Sequence, residues 1–343
     1  MKKCVLSAGL IFIMLLGIIS CGGKQSGDAA APAGGSKVTG KTIGVIMPGP
    51  DVYYSFGKGG VKWAVEASGN TYVERQSDYN AIKEIQNVED LISAGADAII
   101  VMTTNVETGQ KGAQIANAAN VPYFLVDSSI TDGPGKIQGR VDVDMVGVGR
   151  MLGEYVVQNK LGSGGAYLIV GGVPGDPGTS KYIQGFQEAM DKDPNYRMLS
   201  EIQYAEWDRK KGEDVMRNYL IMHNKIDLVY AMNEEMAFGA NVAIKEAGRE
   251  DEITLVTVNG SPVGKEMLQA GTAKVTVGWA PSEDGILVTI KALQYLAGTP
   301  EPEYTEPPIK LFTIDNIGEY SDWDVEIQAS RYEPKLKELG LWN

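Results

Sequence analysis

Two side chains between Tyr204 and Gly248 have the chemistry of a binding site: the indole of Trp207 and the carboxamide of Asn233. An indole offers a flat apolar face, and an amide offers both donors and an acceptor. Together they suit a small polar molecule with apolar patches. The apolar run Ile226–Met232 has strand length and lies between helical patterns, which predicts a buried parallel strand. Asp208 and Asn233 each stand where a strand pattern gives way to a helix, so both are expected N-caps. Glu234 and Glu235 fall in a first turn, where the helix dipole favours carboxylates. Gly248 is the expected residue just past that helix. Ligands of doubly wound α/β sheets bind beyond the carboxyl ends of strands. Trp207 and Asn233 therefore mark a small-molecule cradle.

Bond-breaking chemistry finds no equipment. The one histidine, His223, follows a helical pattern, and the two cysteines are Cys4 and Cys21. Neither a Ser-His-Asp relay nor a His/Cys metal centre can be assembled from these. Gly147, Gly149 and Gly153 have the wrong spacing for a dinucleotide fingerprint, and are expected to permit close helix packing. Asp191-Lys192-Asp193-Pro194-Asn195 begins like a calcium loop. Its sixth position is Tyr196 rather than Gly, and its twelfth is Ile202 rather than Glu. A binding protein without enzymatic activity, cofactor or metal is expected.

The elements that must position these residues alternate. Apolar runs Ile43–Met47, Ala98–Met102 and Val121–Val126 are separated by amphipathic stretches such as Ala81–Ala94 and Thr108–Ala119. A second series follows: Ala166–Val170, Ile202–Tyr204, Leu228–Met232 and Leu255–Val258. Repeated βαβ units with right-handed crossovers predict parallel sheets covered by helices. The fold class expected is α/β, two similar doubly wound parallel-sheet lobes, and 343 residues suffice for both. Composition alone places the boundary near Asp142–Asp144.

Trp207-Asp208-Arg209 before a helix, followed by Asn233-Glu234-Glu235-Met236-Ala237-Phe238-Gly239-Ala240, resembles the type I periplasmic sugar-binding proteins, the ribose-binding group in particular. The resemblance runs from about Thr42 to about Ala297. It implies that Trp207 and Asn233 contact a sugar, and that the chain crosses between lobes three times. The first lobe would hold 41–143 and 280–304, and the second 144–279 and 305–343. Hinge strands would lie near 142–145, 277–281 and 304–307. The tail from Ser321 is longer than the ribose-type pattern and is expected to pack on the second lobe.

Further contacts follow from the same resemblance. Asp51, Tyr53 and Tyr54 stand where the family has Asn-Pro-Phe-Phe, whose aromatics sandwich the sugar; which tyrosine faces the ligand stays open. Asp127 matches a carboxylate that bonds two hydroxyls, and Ser128 replaces the Arg that commonly follows it. Asp144 matches an Asp at the first crossover, and serves equally as the N-cap of the next helix. Tyr182 replaces an Arg, Asn259 an Asp and Trp279 a Gln. The implied pocket has fewer charges and more aromatic surface than a ribose site, so the identity of the sugar is not inherited. A nucleoside, polyol or furanose-like signal fits as an alternative ligand, and sensing as an alternative to transport.

At the N-terminus, Lys2 and Lys3 precede an apolar run, Val5–Ile19, that ends at Ser20-Cys21-Gly22. A membrane span needs roughly 20 apolar residues, so this reads as a lipoprotein signal peptide over 1–20, with Cys21 the lipidated residue and an uncleaved anchor as the alternative. Residues 21–40, rich in Gly, Ser and Ala, read as a flexible tether. The net charge of −13 and the lack of a basic patch argue against nucleic acid. The expected partners are a small carbohydrate, an ABC permease in the cytoplasmic membrane, and the membrane itself through Cys21. The protein is expected to be an exported, envelope-anchored monomer.

Overall fold

The computed structural model describes residues 38–343 apart from 129, 131, 132, 164 and 321. The signal segment, Cys21 and most of the tether lie outside the described residues.

Five strands come first: β1 (Thr42–Met47), β2 (Thr71–Gln76), β3 (Ala98–Val101), β4 (Tyr123–Val126) and β5 (Gly139–Val141). Helices α1 (Val52–Ala67), α2 (Ala81–Ser93) and α3 (Val106–Ala118) connect the first four. Asn80 and Asn105 cap α2 and α3, accepting from the amides of Lys83 and Thr108. With a late strand, β12 (Tyr304–Thr305), they form a parallel sheet in the order β12-β5-β4-β3-β1-β2. Val45, Ile100, Phe124 and Val126 form one apolar cluster of this lobe; Ile46, Ile99, Val101 and Leu125 form another. The alternation along each strand sends neighbours to opposite faces, so a helix layer covers each side.

The second sheet has the order β13-β11-β10-β9-β6-β7, with a short β8 also paired to β6. Its strands are β6 (Ala166–Gly171), β7 (Arg197–Met198), β8 (Gln203–Tyr204), β9 (Leu228–Ala231), β10 (Thr254–Asn259), β11 (Thr276–Gly278) and β13 (Lys310–Phe312). The helices are α4 (Met145–Gln158), α5 (Pro177–Met190), α6 (Arg209–Met222), α7 (Glu234–Glu246) and α8 (Pro262–Gln269). All pairings are parallel except β11 with β13. Helices α4 and α5 lie in close contact: a Cβ on Gly149 would stand 2.3 Å from the Tyr182 carbonyl oxygen. Helix α7 stops in a Schellman motif, with Gly248 at φ +65° and Arg249 N–H donating to Ile244 O.

The chain passes from the first sheet to the second between β5 and α4. It returns between β11 and α9 (Pro281–Leu296), which packs on α1, β4 and β5, and leaves again between β12 and β13. The tail corrects the expectation stated above. Helix α10 (Val325–Glu338) packs on α1 and α9 of the first lobe. Leu336 and Leu341 are buried with Ala64, Ile286, Ile290 and Leu293, while the Trp342 ring lies 6.0 Å from that of Trp63. Apolar surface on α1 and α9 would otherwise face water, and the tail covers it. The chain therefore makes a fourth passage between lobes ahead of α10.

Candidate functional site

Tyr53, in the first turn of α1, is the junction of the site. Its hydroxyl donates to Asp127 Oδ2 at 2.8 Å and accepts from Trp279 Nε1 at 3.0 Å. Asp127 follows the last residue of β4; Trp279 lies in the passage from β11 to α9. The Trp279 ring in turn faces Tyr182 of α5, with centroids 6.4 Å apart and planes inclined by 24°. Asp127, Tyr53, Trp279 and Tyr182 thus form one line of contacts from the first lobe to the second. Tyr54 meets Tyr53 edge-on at 5.7 Å. Of the two tyrosines left open by the sequence, Tyr53 carries the polar contacts.

Across the cleft, Trp207 and Asn233 are neighbours. Asn233 Oδ1 accepts from Met236 N–H at 2.8 Å, capping α7, and its Nδ2 donates to the Trp207 carbonyl at 3.3 Å. The amide is therefore held by its own helix and by the loop that carries the indole. Asp208 caps α6, accepting from Lys211 N–H. The Trp207 ring lies over Gly172, where a Cβ would stand 2.2 Å from its six-membered ring. A glycine after β6 is thus what admits the indole.

Backbone conformation also picks out these positions. Asp127, Trp207 and Asn259 have φ of +50°, +62° and +123°, in a region non-glycine residues seldom occupy. Such conformations persist where surrounding structure imposes them, and they cluster at ligand-binding positions. Asn259 ends β10, and its carbonyl accepts from Trp279 N–H at 3.4 Å.

The site's ionisable groups are carboxylates and phenols. Burial pushes the Asp127 carboxyl up to about 7; the Asp142 charge adds to this and the Tyr53 hydrogen bond opposes it. Asp127 is only partly buried as a residue, yet its Oδ1 is shielded from solvent and unpartnered among the described residues. Burial likewise pushes Glu234 up to about 7, although Oε1 accepts from Thr276 Oγ1 and Gly260 N–H, each at 2.7 Å. Asp284, in the first turn of α9, is fully buried with both carboxyl oxygens unpartnered among the described residues, and burial raises its pKa well above the ordinary range.

Two expected contacts stand apart from this line. Asp144 is exposed and caps α4, accepting from Gly147 N–H at 2.9 Å. Asp51 is exposed at the start of α1, and its carbonyl accepts from Ser55. Three neighbours escaped the sequence reading. Trp323 packs edge-on to Tyr53 at 5.6 Å, and its Nε1 donates to the Trp279 carbonyl at 2.8 Å. Tyr79, 49% exposed at φ +56°, lies 6.4 Å from the Tyr54 ring. Asp176 caps α5, and its charge acts on both Tyr54 and Tyr182. Asp176 alone carried a sequence signal, the Asp-Pro that opens a helix.

Two α/β lobes, crossed repeatedly by one chain and presenting polar and aromatic groups at facing strand ends, define a hinged binding protein. The profile of the periplasmic binding protein domain matches residues 43–300, and the chain belongs to that family, as its resemblance to the type I sugar binders implies. It is 30% identical over 228 residues to the ribose import binding protein of Escherichia coli (strain K12), covering 66% of this chain and 75% of that protein. The xylitol-binding protein of Mycolicibacterium smegmatis is 27% identical over 308 residues, 88% of this chain and 83% of its own. Among solved structures, an ABC transporter solute binding protein from Bacillus halodurans with bound myo-inositol superposes with a TM-score of 0.75 at 24% identity, covering 83% of this chain and 99% of that one. A galactofuranose binding protein superposes with a TM-score of 0.74 at 25% identity, covering 88% and 99%.

Proposed function

We propose that this protein is the substrate-binding component of an ABC importer, capturing a small carbohydrate between its lobes and delivering it to a membrane permease. The observation that carries this reading is the line Asp127–Tyr53–Trp279–Tyr182, which joins the lobes at the carboxyl ends of their strands. Aromatic faces match the C–H patches of a sugar ring, while Asp127, Asn233 and Asn259 match its hydroxyls. An unpaired buried polar group costs about 1–3 kcal/mol, so this set would select stereochemistry. The relatives named for ribose and xylitol support the ligand class. Lipidation at Cys21 would hold the protein at the envelope, and closure around ligand would present a loaded form to the permease.

A thermal-shift screen of monosaccharides and polyols tests the reading. Ligand at 1,000 times its dissociation constant stabilises by about 4 kcal/mol, several degrees even for a large domain. A melting temperature unmoved by every sugar and polyol would remove the carbohydrate assignment. For the anchor, Cys21→Ala should abolish incorporation of radioactive fatty acid, and persisting label would end the lipoprotein reading.

A further inference from the structure

Resting on the reading that the ligand sits between the lobes, the residues there also define its charge. Tyr53, Tyr54 and Trp207 are partly buried aromatic side chains from both lobes, Trp279 and Tyr182 are buried in line with Tyr53, and the charged groups among them are acidic. Asp127 comes from the first lobe and Asp176 from the second, with exposed Asp51 at the start of α1 and Glu234 buried within the second lobe. The charges of Asp51, Asp127 and Asp176 all act on the Tyr54 hydroxyl; those of Asp127, Asp176 and Glu234 all act on Tyr182. Closing the lobes therefore brings like charges toward one another around an aromatic enclosure. The nearby guanidinium of Arg140 is committed elsewhere. It reaches Asp142 at 3.7 Å and Glu303 at 3.9 Å, donates to Ile130 O, and lies 4.8 Å from the Tyr304 ring centroid.

We propose that the inter-lobe site takes a protonated amino sugar, its ammonium group held at Asp127 against the surrounding aromatic faces. Burial disfavours the ionised Asp127 carboxyl, and an ammonium ion placed beside it would favour that form by direct attraction, which a neutral sugar does not do. Tyrosine and tryptophan faces attract the same charge through their quadrupoles, most strongly where water is excluded. Asp127 Oδ1, shielded and without a partner among the described residues, is the acceptor such a group needs. Hydroxyls of the same molecule would still find Asn233 and Asn259.

The test is calorimetric titration of the full chain with D-glucosamine, D-galactosamine and D-mannosamine, each beside its parent hexose and its N-acetyl derivative. Choline and putrescine complete the set as amines that are not sugars. The expected result is that at least one amino sugar binds about tenfold or more tightly than both of its neutral counterparts. Asp127→Asn, which keeps the shape and tolerates the left-handed backbone, should bring that ratio close to one. Neutral hexoses bound as tightly as the amines would overturn the charge assignment and leave the carbohydrate reading standing. Choline or putrescine binding with every sugar silent would keep the cation and remove the sugar. Silence across the whole set would overturn both, and an unchanged ratio in Asp127→Asn would overturn the role given to its carboxylate.

Discussion

The Trp279 indole N–H donates to the Tyr53 hydroxyl at 3.0 Å, joining residues 226 positions apart. The same hydroxyl donates to Asp127, so one oxygen ties the hinge to the floor of the first lobe. Tyr53→Phe leaves both Trp279 Nε1 and Asp127 Oδ2 without this partner and should lower stability by about 1–3 kcal/mol. A double-mutant cycle with Trp279→Phe, followed by urea unfolding, should show a coupling of about 0.5–3 kcal/mol. Additive losses would mean that the contact is incidental.

Asn233 has two roles that one substitution can separate. Serine also caps helices, so Asn233→Ser should hold the start of α7 and lose only the contact to the Trp207 carbonyl, about 0.5–1.5 kcal/mol. It lacks the amide donor that a ligand would use, and affinity should fall by about 1–2 kcal/mol, the scale of a lost hydrogen bond. Asn233→Ala loses both, with about 1 kcal/mol of stability gone as well. Titration and melting of the two variants check this, and equal affinity in Asn233→Ser and the native protein would reduce Asn233 to a cap.

Buried carboxyls set the pH response. Burial pushes the Asp127 and Glu234 carboxyls up to about 7 in the folded protein, against roughly 4 in an unfolded chain. Between those values the native state holds protons that the unfolded state has released, so stability falls as pH rises through the window. Asp284, raised by burial and by the charges of Asp127, Glu283 and Asp142, acts in the same direction. Surface carboxylates whose pKa values are lowered, such as Glu188 and Glu213, lose their contribution only in more acidic solution. The urea midpoint of the ligand-free protein should therefore be lower at pH 8 than at pH 5, with a smaller difference in Asp127→Asn. A midpoint that rises with pH would contradict this account.

The tail supplies the fourth prediction. Leu336 is fully buried against the first lobe, and Leu336→Ala should cost about 2–5 kcal/mol. Because Trp323 contacts both Tyr53 and Trp279, Trp323→Ala should also weaken ligand binding from outside the cleft. Thermal melts and titrations of the two variants would distinguish packing from positioning: an unchanged dissociation constant in Trp323→Ala would confine the tail to packing.

What could be read from the residues was what the chain determines locally. Asp208, Asn233 and Gly248 were legible as helix boundaries because capping depends on a few neighbouring atoms, and the long buried strands were legible from their apolar runs. β2, with its run Thr-Tyr-Val-Glu-Arg-Gln, and the two-residue β7 escaped because polar or very short edge strands carry little pattern, while β12 was expected only from the resemblance. The left-handed backbone at Trp207 likewise had no signature in residue type. Trp323 was invisible for another reason: its partners are distant in sequence, and the tail's few apolar residues do not reveal which lobe they cover.

That tail also determines where the chain can be held. Val38 shares an apolar cluster with Leu341, Gly40 N–H donates to Gly69 O at 2.9 Å, and Asn343 N–H donates to Ala67 O at 3.0 Å. The first and last described stretches are thus two handles fastened to the same half of the molecule. A load applied between them would pass through that half without drawing on the hinge. Reporters fused at both ends would ride together and stay blind to closure, so a sensor of ligand needs one of its labels inserted within the second lobe.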